Sequence, residues 1–161
     1  MTARRMDSFK TVADQLRQSV DLALPHLIAI ADNTASRPRA PGKWSPKQVL
    51  GHLIDSAANN HQRFVRAQQP GAVHLPGYVQ DHWVSVQHYN DRSWADLVEL
   101  WSAYNRHLAH VIAQIPESAQ GLECLIDPYP PATLGYLATD YVDHLWHHLS
   151  QIGIHRDAPH G

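Results

Sequence analysis

Four stretches of this chain place apolar residues every three or four positions, and a chain written that way buries them by packing helix against helix. The first, over residues 8–32, runs Val12, Leu16, Val20, Ala23, Leu27 and Ile30, and Pro25 inside it predicts a kink or break. After a loop rich in proline and basic residues, SRPRAPGK, a second helix starts with three agreeing signals: Ser45 as N-cap, Pro46 in the first helical position and Gln48 at the capping-box position. Its buried side carries Val49, Leu53, Ala57 and Phe64, and it runs to about Gln68, where Pro70-Gly71 ends it. The third opens at Ser93, with Asp96 as capping-box partner, and carries Leu97, Trp101, Tyr104, Leu108, Val111 and Ile115 before Pro116 stops it. The fourth, capped by Thr133, has an inner line of Leu134, Leu137, Tyr141, His144 or Leu145, His148 and Ile152, with Gly153 near its end.

The pattern predicts an all-α four-helix bundle, with residues 80–90 (QDHWVSVQHYN) forming a short extra helix in the connection between helices two and three. No segment reads as a convincing strand, and there is no internal repeat. A length of 161 residues suits one domain, here 1–161 with its core over about 8–155, which needs no disulfide to be stable. Thirteen Lys and Arg against fifteen Asp and Glu leave no electrostatic footprint for a phosphate backbone, so nucleic acid is excluded as the expected partner. The absence of a long apolar run argues against a membrane span, and the polar start MTARRMDSFK against a secretory signal; the expected location is the cytoplasm. Cys124, the one cysteine, sits in a proline-rich connection and reads as a structural residue rather than a nucleophile.

Three histidines interrupt the apolar stripes. His52 and Ser56 lie within the buried arc of the second helix, and His144 and His148 stand one turn apart on the fourth. Thirteen histidines in the chain make about one H-x-x-x-H pair expected by chance, so spacing alone carries nothing and placement carries the argument. Three buried imidazoles cost several kcal/mol unless each finds a partner, and one metal ion satisfies all three at once. If helices two and four pack face to face, His52, His144 and His148 converge on such an ion.

Around this triad, Asp55 is one turn beyond His52, where a carboxylate can orient an imidazole, bind the metal or accept a proton; the role of orienter or general base is the expected one. Asp140, four residues before His144, is placed either to accept that ring's second N–H or to stand as a solvated charge. His147 reads as a rim residue. Asn59 and Asn60 continue the polar line toward a substrate, and Trp83 and Tyr89 either line a pocket mouth or anchor the connection to the core.

The segment WSPKQVLGHLIDS, residues 44–56, resembles the helix-two motif of the DinB-like (YfiT-type, damage-inducible) metal-binding family, and DHLWHHLSQI, residues 143–152, resembles its closing H-x-x-H-H motif. The resemblance spans about residues 8–155 and implies His52, His144 and His148 as ligands of one divalent transition metal, zinc or nickel, in a four-helix bundle that is often a homodimer. It also implies a small-molecule substrate, with a thiol S-transferase using a low-molecular-weight thiol placed ahead of a metal-dependent hydrolase. Three neutral imidazoles leave an ion an open position, at which a water or a thiol becomes a nucleophile near neutral pH. A non-catalytic bundle, stapled by its metal, is the alternative of another class; a fourth protein ligand closing the site would favour it.

Overall fold

The computed structural model describes residues 6–71 and 73–156. Its long helices are α1 (Phe9–Ile28), α3 (Pro46–Arg66), α5 (Trp94–Ala113) and α6 (Leu134–Gln151), with the short α2 (Asp32–Ala35) and α4 (Gln80–Gln87) between them. Each long helix starts where a side-chain oxygen accepts from an otherwise orphaned backbone N–H: Ser8 from Thr11, Ser45 from Gln48, Ser93 from Asp96 and Thr133 from Tyr136. At Ser45 the capping box is complete, because the Gln48 side chain also accepts from the Ser45 backbone N–H at 2.9 Å.

Pro25 does not break α1, which continues to Ile28. The proline withholds only the bond to the Asp21 carbonyl, and both residues lie on the exposed side of the helix. The expected reach to residue 32 divides instead into the end of α1 and the separate turn α2. The extra helix between the second and third long helices is present as α4, followed by a 3₁₀ turn over Tyr89–Asp91; His88 between them takes the left-handed conformation at φ 51°.

The expectation of no strand is corrected. Strands β1 (Val73–Leu75), β2 (Glu123–Ile126) and β3 (Ala132–Thr133) form a small sheet in that order, β1 parallel to β2 with Val73 opposite Cys124, and β2 antiparallel to β3 with Glu123 opposite Thr133. Strands of two to four residues are too short to display an alternation, and the parallel pair joins segments far apart in sequence, so no local pattern announces it. The sheet links the two long connections across one end of the bundle.

Within the bundle α1 packs on α5 and α6, and α3 packs on α5 and α6. Helices adjacent in the chain order, α1 with α3 and α5 with α6, therefore sit diagonally, and α3 lies beside α6. The core between them holds Leu16, Leu27, Leu50, Phe64, Leu97, Trp101, Leu108, Leu145 and Leu149, all fully buried. Burial of such side chains contributes about 1.5–3 kcal/mol each. Among the described residues no helix is long and apolar enough to cross a membrane.

Candidate metal centre

His52 enters from α3, and His144 and His148 from α6. Their Nε2 atoms form a triangle with sides of 3.4 Å (His52 to His144), 3.1 Å (His52 to His148) and 3.1 Å (His144 to His148). A triangle of nitrogens cannot be satisfied by protons alone. Each contact needs one donor and one acceptor, and three sites in a ring cannot alternate, so at least one pair always meets like with like. A central cation removes the conflict, because all three nitrogens then act as acceptors. The size also fits: nitrogens bound about 2.0–2.1 Å from a tetrahedral ion lie about 3.3–3.4 Å apart.

The protonation states agree with this geometry. Burial pushes His52 down to about 3 and His144 to about 4, with repulsion from the neighbouring rings second, and burial lowers His148 too. All three are neutral at pH 7, with lone pairs free to bind. His148 Nδ1 lies 2.9 Å from Gln151 Oε1, which accepts its N–H and leaves Nε2 to face the triangle. His52 is fully buried, and among the described residues its Nδ1 has no hydrogen-bond partner; the Trp44 ring lies 5.2 Å from its ring, centroid to centroid. Among the described residues this is the one group of three or more His, Cys, Asp or Glu side chains close enough to share an ion, and it contains no carboxylate.

Asp55 is buried one turn from His52 but makes no hydrogen bond to the triad. Position i+3 turns it some 60° around α3, toward α4 and the 3₁₀ turn. There Tyr89 donates its hydroxyl to Asp55 Oδ1 at 2.6 Å, and Gln87 donates its amide to the same oxygen at 2.8 Å. Asp55 Oδ2 is buried with no partner among the described residues, and burial raises the carboxyl's pKa against the lowering effect of those two bonds. Gly51 permits the arrangement: a Cβ there would lie 2.2 Å from Cδ2 of the Tyr89 ring. Tyr89 thus ties the connection to α3, and Trp83 packs edge-on against Tyr78 at 5.5 Å.

The remaining expected residues separate. Asp140 receives no hydrogen bond from His144 and stands on the wall of a cavity beside the triad, open to solvent on one side, its pKa raised by partial desolvation against that wall and by Asp143. His147 is exposed, its ring 5.1 Å from that of His148. Asn59 folds its amide back onto the Asp55 carbonyl at 2.9 Å, whereas Asn60 lines the cavity. Cys124 is buried in β2, and burial raises its thiol pKa, which suits a structural residue.

The cavity itself, about 810 Å³, reaches from His144 along α3 and α6 to the loop before β3. Sequence reading missed Arg63 and Tyr78 on its wall. Arg63 had a legible signal, because His52, Ser56, Asn60 and Arg63 recur at helical spacing on one face; Tyr78 had none, since its place depends on how the connection folds back.

A family model described as the DinB superfamily matches residues 15–152. The chain belongs to the DinB superfamily. Among solved structures it is similar to YfiT from Bacillus subtilis, described as a probable metal-dependent hydrolase with an unusual four-helix bundle topology. The TM-score is 0.81 at 19% identity, over 95% of this chain and 90% of that one. At that identity the likeness establishes the four-helix bundle fold. No curated protein matches the chain.

Proposed function

We propose that this chain is a metal-dependent enzyme that hydrolyses a small molecule seated in the cavity beside His52, His144 and His148. The observation that carries the reading is the position of the triad: three neutral Nε2 atoms meet at one point, and one of the three rings, His144, forms part of the wall of an 810 Å³ cavity. A closed structural site would have a fourth protein ligand, and among the described residues none joins the three. A bound divalent ion, zinc or nickel, would supply Lewis acidity and lower the pKa of a water or thiol. The description of YfiT as a probable metal-dependent hydrolase supports the choice of water.

The chain's own residues complete the chemistry. In this reading Asp55 accepts the proton through Oδ2, one turn from His52: Tyr89 and Gln87 hold Oδ1 on the side of the connection, Oδ2 has no partner among the described residues, and burial raises its affinity for a proton. Gln151 holds the His148 ring in the tautomer that presents Nε2. Thiol transfer is the second reading, and the size of the cavity favours it, since about 810 Å³ takes a thiol and an acceptor side by side.

The test is turnover of a panel of esters and amides, and of electrophiles offered with cellular thiols, by metal-loaded and chelated protein. Metal-dependent hydrolysis without added thiol supports the first reading. Conjugation that requires both thiol and metal would replace it with the second, and equal rates with and without metal would overturn both.

A further inference from the structure

Arg63 lines the cavity, and among the described residues it has no counter-ion. Among the described residues no Asp or Glu pairs with it; its hydrogen bond is a long one, 3.4 Å to Asn60 Oδ1, and its guanidinium lies 6.0 Å from the centre of the Tyr78 ring. A guanidinium has five N–H donors in a flat fork and keeps its charge, so a half-buried one with a single long bond has unused capacity aimed at whatever enters.

Its register says how far that capacity lies from the triad. Arg63 is eleven residues after His52, which on a helix means about 16 Å along the axis and only about 20° around it. The side chain leans back toward the helix start, as its bond to Asn60 one turn earlier records, so the guanidinium comes within about 10 Å of the triad. Between these two ends the cavity wall is largely apolar and aromatic, with Tyr78, Leu137 and Tyr141.

We infer that the cavity selects a substrate bearing a carboxylate, gripped by Arg63, at one end of an apolar or aromatic body whose other end reacts at the triad. A planar carboxylate matches the fork with two parallel bonds. A phosphate dianion fits less well: among the described residues Arg63 is the one Lys or Arg on the wall, and Asp140 opposes a second negative charge. The inference deepens the proposed function and rests on the triad being the reactive end.

Binding to metal-loaded and to chelated protein is measured by calorimetry with 3-phenylpropanoate, its uncharged amide and 3-phenylpropylphosphonate. The carboxylate should bind on the order of tenfold more tightly than the amide, the value of a charge-assisted bond pair. That preference should survive chelation, disappear in Arg63→Met and persist in part in Arg63→Lys, with circular dichroism and metal content of both variants unchanged. Equal binding of acid and amide by the native chain, or no binding of either, overturns the inference, whether or not any variant folds. So does a preference kept in Arg63→Met but lost on chelation, which would put the carboxylate on the metal, and so does tighter binding of the phosphonate. Failure of the hydrolase reading appears separately, as absent metal-dependent turnover with the carboxylate preference intact.

Discussion

The metal-free chain should lose stability steeply as pH falls from 6.5 toward 5, because its buried histidines must fold uncharged. His52 has an ordinary pKa near 6.5 in the unfolded chain and about 3 in the folded one. The unfolded state therefore binds more protons throughout that window, and stability present above pH 6.5 is lost as pH falls. The slope is about 1.4 kcal/mol per pH unit for one such group, so from pH 6.5 to 5 His52 alone removes about 2 kcal/mol. His144, held at about 4, removes up to about as much again, reduced by its partial exposure, and His148 acts in the same direction. Against the about 5–15 kcal/mol typical of a domain, this is a large fraction. Urea unfolding in the presence of a chelator, at half-unit steps from pH 7.5 to 5, measures it. Asp55 and Asp140 run the other way, since their raised pKa values favour the folded state as they protonate. The comparison with His52→Asn isolates the imidazole: the variant should show a slope shallower by about one proton. Parallel pH profiles for the two proteins would refute the claim that His52 is held neutral by burial. Metal should raise the native profile without flattening it, because it binds only the neutral rings and so leaves the unfolded chain the larger uptake of protons as pH falls.

His148→Ala should abolish stoichiometric metal binding while His147→Ala retains it, as elemental analysis of tag-free protein would record; equal metal in His148→Ala would remove the triad assignment. Asp55→Asn should keep the metal and lower turnover by about 10²-fold, the usual contribution of a general base; metal loss would make Asp55 a ligand, and unchanged turnover would leave it only the anchoring of Tyr89. Gly51→Ala drives a methyl into the Tyr89 ring and should cost about 1–3 kcal/mol by overpacking, read from thermal or urea unfolding; a neutral effect would mean that the connection shifts away freely.

The helices and their starts were legible in the sequence because they are local: a stripe every 3.6 residues and a capping side chain three residues from the N–H it serves need no knowledge of the rest of the chain. His52, His144 and His148 stood out for the same reason, as polar residues on lines that otherwise carry Leu53, Phe64, Leu137 and Leu145. Their meeting was conditional on α3 lying beside α6, and that depends on the connections crossing so that α1 and α3 stand diagonally, which no local pattern contains. The sheet of β1, β2 and β3 was invisible because its strands are too short to alternate. Asp55 could be placed near the triad by its offset, but 60° of rotation around α3 decides whether a side chain faces α6 or the connection, and the Tyr89 hydroxyl that holds it comes from a turn thirty-four residues away. Sequence thus determined which faces of the helices are apolar and which residues break them; only the packing of those faces decided which of the exceptions touch, because side-chain contact across a bundle is set by helix neighbours and rotation, and both are properties of the whole chain.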